Sequence, residues 1–296
     1  MRETPAPWLA PRTTLRVGGT ALAEIVLERL EDVPLLGERL RALGGTPLVL
    51  GAGSNILAQD GELPLVLVRP QLTHGPEIVG EAGGKVLVRA GAGVPLPRLL
   101  RFCAVHGLSG LEGLVGIPGS VGGAIAMNAG AHGVETCEKI IKIQAVINGT
   151  VRTVNVHGLQ YGYRHLCIAG SNDDFIVLEG TFGLTRAARD GISNCMRHNF
   201  LKKKSKQPVT AWSAGCVFKN PAPDMSAGKL LEQAGFKGKK LGGMAFSSLH
   251  ANFLINEGEG SATAALSLLR EAREAVLRRC GILLEPEVRI TPCLLP

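Results

Sequence analysis

An uncharged, glycine-rich segment constrains the fold of this chain more than any other part of its sequence. It runs from Gly113 to Ala131 and reads GLVGIPGSVGGAIAMNAGA. This segment is too apolar for an ordinary flexible linker. It is typical of backbone packed closely against a large planar ligand with phosphates, because N–H groups can serve the phosphates and missing Cβ atoms leave room. The alternative is a glycine-rich buried turn between two helices.

The composition is that of a globular chain that favours anionic partners. Glycine supplies 39 of the 296 residues, well above the usual share of about 7%. Hydrophobic residues make up 45% of the chain but aromatic residues only 4%, so aliphatic side chains must build the core. At roughly 100–200 residues per domain, the length predicts two domains. The net charge of +7 favours either nucleic acid or a phosphorylated small molecule.

The basic residues and the cysteines argue against several protein classes. Lysines cluster only at 202–206, which indicates a solvated face, whereas nucleic-acid binding favours a longer basic stripe with interleaved aromatic residues. The seven cysteines are scattered without a C-x-x-C pair, so we expect reduced thiols and no metal. The segment MRETPAPWLAPR lacks the apolar run of a signal peptide, and no apolar stretch is long enough for a membrane span. We therefore expect a cytoplasmic protein.

The first half of the chain predicts strands that alternate with helices. Strands are expected at 23–27, 47–50 and 85–89, and helices at 32–43 and 96–106. Two G-x-G turns follow strands, in GAGSN at 51–55 and in GAG at 91–93, but Ile56 and Leu96 occupy the third-glycine positions. This disfavours a standard dinucleotide-binding fold, while phosphate contact at GAGSN stays open.

The second half predicts a β-rich segment followed by a separate domain. Strands are expected at 139–147, 151–156 and 175–179, and helices at 227–234 and 261–280. The last element, 282–290, contains Pro286 and should be an edge strand or irregular. The composition shifts near 185–190, which we take as the domain boundary.

The segment SAGCVFKNP at 213–221 surrounds one cysteine with small residues. Cys216 could be a buried structural thiol, a metal ligand or a reactive group on a turn, and a lone cysteine is most often a small buried hydrophobe. A thiol has an ordinary pKa of about 8.5, so at neutral pH it is mostly protonated and can donate a proton. The flanking Gly215 and the following FKNP favour a proton donor on a turn.

Several motifs, taken together, resemble one family. They are TTLRVGG at 13–19, GAGSNIL at 51–57, GIPGSVGGAIAMNAGAHG at 116–133, YGYR at 161–164, SAGCVFKNP at 213–221, HANFLIN at 250–256 and LEPEV at 284–288. They span nearly the whole chain. With these motifs the sequence resembles the UDP-N-acetylenolpyruvoylglucosamine reductases, also called UDP-N-acetylmuramate dehydrogenases, which are FAD enzymes of bacterial cell-wall precursor synthesis.

The resemblance implies an α+β architecture and a reaction. The fold would be an FAD-binding fold of the vanillyl-alcohol oxidase (PCMH) type in two subdomains, plus a C-terminal α+β substrate-binding domain. We expect the FAD-binding domain at 1–184, with subdomains at about 1–70 and 71–184, and the UDP-sugar domain at 185–296. NADPH would reduce FAD, and hydride would pass to the vinyl carbon of the enolpyruvyl ether of UDP-N-acetylglucosamine. A protein acid would protonate the adjacent carbon, giving UDP-N-acetylmuramate.

The same resemblance implies three catalytic residues. Arg164, which closes YGYR, would bind the substrate carboxylate as charge develops there. Cys216 would donate the proton, at a position where many relatives carry serine. Glu287, in LEPEV, would assist the enol intermediate. Read without their motifs, Arg164 and Glu287 would each be ordinary surface charges.

The resemblance also implies binding residues. FAD would contact two glycine-rich loops, which contain Gly51, Ala52, Gly53, Ser54, Asn55, Ile56, Leu57, Gly116, Ile117, Pro118, Gly119, Ser120, Gly122, Gly123, Ala124 and Asn128. The substrate would contact Asn220, Lys206 and Tyr163. Lys202 and Lys204 are rivals of Lys206 for the diphosphate.

Two other functions stay open on the sequence. Another FAD oxidoreductase of the same fold, acting on a small alcohol or sugar, would share the glycine-rich segment without needing Arg164, Cys216 and Glu287 together. A basic nucleotide- or RNA-binding module would instead show salt-dependent RNA binding and no flavin. The short interval between Arg164 and Cys216 implies the subtype without a capping tyrosine loop. We expect a monomer that uses FAD and NADPH and binds neither nucleic acid nor membrane.

Overall fold

The computed structural model describes residues 1–171 and 175–292. The helices are α1 Val33–Leu43, α2 Leu96–His106, α3 Val121–Ala126, α4 Arg189–Lys204, α5 Ala227–Gln233 and α6 Ala262–Cys280. The strands are β1 Arg2–Pro5, β2 Thr20–Leu27, β3 Thr46–Val49, β4 Ile56–Ala58, β5 Glu62–Pro70, β6 Glu77–Ala82, β7 Lys85–Gly91, β8 Leu108–Ser109, β9 Gly130–Ala131, β10 Val134–Glu135, β11 Ile140–Ile147, β12 Thr150–Asn155, β13 Leu159–Gly162, β14 His165–Ile168, β15 Phe175–Arg186, β16 Trp212–Cys216, β17 Lys240–Leu241, β18 Met244–Phe246, β19 Phe253–Asn256 and β20 Arg289–Thr291.

The chain forms two compact units. The first contains residues 1–5, 23–52 and 66–202, and the second contains 6–22, 53–65 and the chain from 203 onward. The expected domain limits, 1–184 and 185–296, stay a prediction. The compact units change after Lys202, and two N-terminal segments join the second unit. A shift in composition along the chain cannot reveal such segments, because it carries no information about distant contacts.

Two sheets organise the first unit. One sheet has the strand order β1-β2-β5-β3. Of its two inner strands, the first unit contains residues 23–27 of β2 and residues 66–70 of β5. The other has the order β12-β11-β15-β7-β6, and β8 pairs with β15. The long strand β15 pairs antiparallel with both β11 and β7. The predicted strands at 23–27 and 47–50 are confirmed, but they are not neighbours, since β5 lies between them.

Helix α2 shows how local sequence sets an element of this unit. Its apolar positions recur at helical spacing, and Leu96, Leu99, Leu100 and Cys103 are buried. Gly107 ends the helix in the left-handed conformation with φ of 65°, which glycine adopts without a Cβ clash. The prediction of a helix at 96–106 is confirmed.

The second unit packs helix α6 with the sheet ordered β16-β19-β18-β17. The helix begins after Ser261, whose Oγ accepts a hydrogen bond from Ala264 N at 3.1 Å, and Gly281 ends it in the left-handed conformation. The buried stripe consists of Ala262, Ala265, Leu268, Leu269, Ala272 and Val276. Burial contributes about 1.5–3 kcal/mol for each of its two leucines.

The end of the described chain is mostly irregular, which was one of the two expectations for 282–290. Only Arg289–Thr291 forms a strand, and it pairs parallel with β4. Before it, Pro286 forms an isolated antiparallel bridge with Phe218.

Helix α4 was not predicted from the sequence. Ile192 is its one buried residue among those described, so it lacks the apolar stripe that marks α2 and α6. Lys202 and Lys204 are exposed in its last turn, where positive charge interacts favourably with the helix dipole.

Candidate active site

A cavity in the first unit collects several residues of the two glycine-rich loops. Its volume is about 310 Å³. Gly51, Ala52, Gly119 and Ser120, all expected at the cofactor, line it. The remaining lining residues, which the sequence did not indicate, are Leu50, Arg69, Pro70, Gln71, Thr73, Gly93 and Pro95.

The two loops approach each other so closely that a side chain at residue 51 would not fit. A Cβ atom built on Gly51 would lie 2.7 Å from Ser120 Oγ, which is shorter than any real contact of this kind. Ser120 is buried, and its Oγ accepts a hydrogen bond from Gly123 N at 3.3 Å. The serine hydroxyl is thus fixed at the cavity wall, and glycine at 51 is a steric requirement.

Arg69 brings a positive charge to the same wall. Its Nη1 donates to Glu24 Oε1 at 3.1 Å, and the Glu24 side chain is 5% exposed. Among the described residues, Arg69 Nε is a buried donor without a hydrogen-bond partner. A guanidinium offers five N–H donors in a planar fork that matches an oxyanion. The signal in the sequence was an arginine at the end of the apolar run LPLVLV.

The glycine-rich segment itself forms helix α3 and the loop before it. The N–H groups of Gly122, Gly123 and Ala124 donate to Ala92 O, Ser120 Oγ and Ser120 O. A Cβ on Gly122 would lie 2.7 Å from Ala92 Cβ. The hypothesis that backbone N–H groups here bind phosphates therefore finds no support at these three positions, where the glycines serve close packing. Gly116, Ile117 and Pro118 lie in the preceding loop, and their contact with a cofactor stays a prediction.

The YGYR motif forms a tight hairpin of the first unit. Gly162 pairs with His165, so Tyr163 and Arg164 make the two-residue turn between β13 and β14. Arg164 adopts the left-handed conformation with φ of 56°, which is uncommon for residues other than glycine and costs on the order of 1 kcal/mol. Its guanidinium carbon lies 4.9 Å from the centre of the Tyr163 ring. The turn thus presents the arginine on a narrow tip.

The segments that carry Cys216 and Glu287 meet in the second unit. Glu287 N donates to Val217 O, next to Cys216, at 2.8 Å. Asn55 Nδ2 donates to Glu287 O at 3.0 Å, and Asn55 O accepts from Arg289 N. Three separate motifs, GAGSN, SAGCVFKNP and LEPEV, therefore meet through backbone and amide hydrogen bonds. Arg164 belongs to the first unit and the other two expected catalytic residues belong to the second.

The part of GAGSNIL that belongs to the second unit, residues 53–57, is ordered by that unit's own contacts. Gly53 has φ of 66° and its O accepts from Thr14 N at 3.2 Å. Ser54 is half-buried in the following turn. Ile56 and Leu57 are buried in β4, paired with β20, so contact of these two residues with a cofactor stays a prediction.

A β-bulge lies directly before Cys216 in strand β16. Ser213 pairs with Ile255 and Cys216 with Phe253, so the strand with the cysteine carries an extra residue between these pairs. Gly215 lies in the bulge with φ of 81°, the conformation that a bulge glycine supplies. Cys216 is half-buried. The structure thus places Cys216 at the end of strand β16 and not on a turn, and its role as a proton donor stays a prediction.

The expected substrate residues are distributed differently. Asn220 Oδ1 accepts a hydrogen bond from Ala227 N at 3.1 Å and so caps α5. Lys206 is exposed just beyond α4, in the second unit, and Tyr163 lies in the first. The competition of Lys202 and Lys204 with Lys206 for the diphosphate stays open.

Two other cysteines are buried, which disfavours their thiolate forms. Burial raises the pKa of Cys103 to about 12 and that of Cys137 to about 12. Within residues 1–171 and 175–292, no group of three His, Cys, Asp or Glu side chains could hold a metal ion. In the same residues, no helix is long and apolar enough to cross a membrane.

Comparison with known families covers both parts of the chain. Residues 25–155 match the family described as FAD binding domain. Residues 207–291 match the family described as UDP-N-acetylenolpyruvoylglucosamine reductase, C-terminal domain. The two matched ranges contain the expected FAD loops and the expected Cys216 and Glu287, respectively.

Individual relatives are similar over nearly their whole length. A UDP-N-acetylenolpyruvoylglucosamine reductase of Nitratidesulfovibrio vulgaris is 52% identical and covers 96% of each chain. One of Oleidesulfovibrio alaskensis is 50% identical and covers 97% of each chain. The crystal structure of a UDP-N-acetylenolpyruvylglucosamine reductase from Thermus caldophilus is 32% identical, covers 98% of each chain and superposes with a TM-score of 0.81.

Proposed function

We propose a function on the premise that this chain belongs to the family of UDP-N-acetylenolpyruvoylglucosamine reductases. The chain is an FAD oxidoreductase of peptidoglycan precursor synthesis that reduces the enolpyruvyl ether of UDP-N-acetylglucosamine to UDP-N-acetylmuramate. NADPH is the reductant, and the protein acts as a monomer in the cytoplasm. The reaction follows from the family, whereas NADPH, the monomeric state and the cytoplasm are proposed.

The cavity of the first unit fits part of FAD. At about 310 Å³ it lies at the lower end of ligand pockets, which span about 300–1,000 Å³. Its lining offers the Arg69 guanidinium and the Ser120 hydroxyl, both suited to phosphate oxygens, and no carboxylate among the lining residues. Gly51 keeps the wall open at the closest approach of the two loops. We assign Arg69 and Ser120 to the phosphates.

The chain's own residues bind the substrate and move its proton. FAD, when bound, supplies the hydride that it has received from NADPH. Arg164 binds the substrate carboxylate and stabilises the negative charge that spreads onto it as the vinyl carbon takes up hydride. Cys216 then gives the proton of its Sγ to the adjacent carbon, and Glu287 stabilises the enol form that precedes this transfer.

The observation that carries this assignment is the hydrogen bond of 2.8 Å between Glu287 N and Val217 O. It holds the LEPEV segment beside the bulge that carries Cys216, so two residues distant in sequence are neighbours in one unit. A proton donor and a carboxyl group so placed suit acid–base work on one substrate.

Measuring flavin reduction and flavin reoxidation separately shows in which of the two half-reactions Cys216 acts. In Cys216→Ala, flavin reduction by NADPH should keep its rate, because the thiol has no part in that step. Reoxidation by the enolpyruvyl substrate should slow by about 10²–10⁴-fold, the usual contribution of a general acid. Cys280→Ala, at another half-buried cysteine, is the matched control. A Cys216→Ala enzyme that reoxidises at the parent rate would refute the assignment.

A further inference from the structure

The buried amide of Asn128 forms a hydrogen-bonded junction near Arg164. Asn128 is 0% exposed and has φ of 40°. Its Nδ2 donates to Glu135 Oε2 at 2.7 Å and to Gly162 O at 2.8 Å, and its Oδ1 accepts from Cys137 N at 2.9 Å. An amide has two donors. Both are used within the protein, so neither donor is available to a cofactor, and the contact of Asn128 with FAD that the resemblance implied stays a prediction.

One of these hydrogen bonds fixes the base of the arginine turn. Gly162 is the last residue of β13 and lies two residues before Arg164. Arg164 has the left-handed φ of 56°, and such a conformation persists only where surrounding contacts determine it. The bond from Asn128 to Gly162 O is a contact of that kind.

Glu135 accepts from the Asn128 amide and lies near the Arg164 guanidinium. It pairs with Gly130 across the hairpin of β9 and β10. A Cβ built on Gly130 would lie 3.2 Å from Glu135 Cγ and 3.4 Å from Arg164 Nη1. The glutamate side chain and the arginine head therefore border the same point, and the negative charge favours the arginine there.

We propose that Asn128 and Glu135 are positioning residues for Arg164. They hold the turn and the guanidinium in the place from which Arg164 binds the substrate carboxylate. The proposal rests on the role given to Arg164 under the proposed function. Neither residue touches the substrate in this account, and their effect on the reaction passes through the arginine.

The test uses the full-length flavoprotein and two substitutions of similar size. Asn128→Asp removes both amide donors, since an ionised carboxylate only accepts. Glu135→Gln keeps an oxygen acceptor for Asn128 but removes the charge beside Arg164. Asn148→Asp is the matched control, because Asn148 is an exposed asparagine with a similar φ of 50°.

We expect both variants to retain FAD and to be reduced by NADPH at the parent rate. Reoxidation by the enolpyruvyl substrate should slow about 10- to 100-fold, as expected for a misplaced catalytic group. In an Arg164→Ala background the same substitutions should change reoxidation less than about twofold, because residues that act through one another are not additive. Should Asn128→Asp fail to fold, Glu135→Gln still decides the question.

The results that would refute the positioning role differ from the result that would refute the proposed function of Arg164. Loss of FAD from Asn128→Asp, an unchanged reoxidation rate, or an equal loss in the Arg164→Ala background would each overturn the positioning role. Arg164→Ala reoxidising at the parent rate would instead remove the catalytic role of the arginine itself.

Discussion

Replacing Arg69 by methionine tests whether the ion pair of Arg69 with Glu24 at the cavity wall stabilises the protein more than an exposed surface ion pair does. Methionine keeps most of the aliphatic stem and removes the guanidinium that donates to Glu24 at 3.1 Å. The Glu24 side chain is only 5% exposed, whereas that of Arg69 is 29% exposed. The substitution therefore leaves a nearly buried carboxylate without its guanidinium.

The expected loss of stability follows from this burial. Removing one partner of a fully buried ion pair costs about 3–5 kcal/mol, and water at the arginine screens part of that attraction, so we expect about 2 kcal/mol. Arg186→Met is the matched control. The pair of Arg186 with Glu81 is closer, at 2.6 Å, but its side chains are 64% and 60% exposed, so its loss should cost less than about 1 kcal/mol.

Urea denaturation of the apoprotein measures these free energies of unfolding without any contribution from FAD. The double variant Glu24→Gln with Arg69→Met should recover at least half of the loss, because the buried charge is gone. The reasoning is wrong if Arg69→Met costs no more than Arg186→Met, or if the double variant is less stable than the single one.

Two further predictions concern titrating groups. Burial lowers the pKa of His250 from its ordinary 6.5, so the unfolded chain takes up a proton that the folded one resists, and the free energy of unfolding should fall as pH drops below 6.5. In His250→Gln, the free energy of unfolding should depend less on pH when it is measured by urea denaturation between about pH 7 and pH 5, on either side of the ordinary value. An unchanged dependence on pH would contradict this prediction. Because burial raises the pKa of Cys103 and Cys137 to about 12, a thiol reagent at about pH 8, near the ordinary thiol value, should modify exposed Cys195 well before either. Mass spectrometry of the labelled peptides would refute this if all three react at one rate.

Local signals were sufficient for many elements of this fold. Helix α2 was predictable because its apolar period and Gly107 agree, and α6 because Ser261, its stripe and Gly281 agree. Helix α4 was not, since a basic helix with one buried residue among those described has no apolar period to detect.

The candidate site was predictable only through its motifs. Glu287 carries no distinguishing local signal, and the meeting of its segment with that of Cys216 depends on a hydrogen bond between segments about 70 residues apart in sequence. Both amide donors of Asn128 are used within the protein, which the sequence could not show, because a glycine-rich context predicts a ligand but does not reveal which groups the protein itself uses. Arg69 was overlooked because its importance comes from a carboxylate on another strand.

Anaerobic visible spectroscopy of the purified protein follows both half-reactions in one sample. The flavin absorption band should bleach when NADPH is added and return when the enolpyruvyl ether of UDP-N-acetylglucosamine follows. A band that bleaches and does not return would contradict the account, because the reduced protein would then need a different acceptor and the roles of Arg164, Cys216 and Glu287 would lose their support.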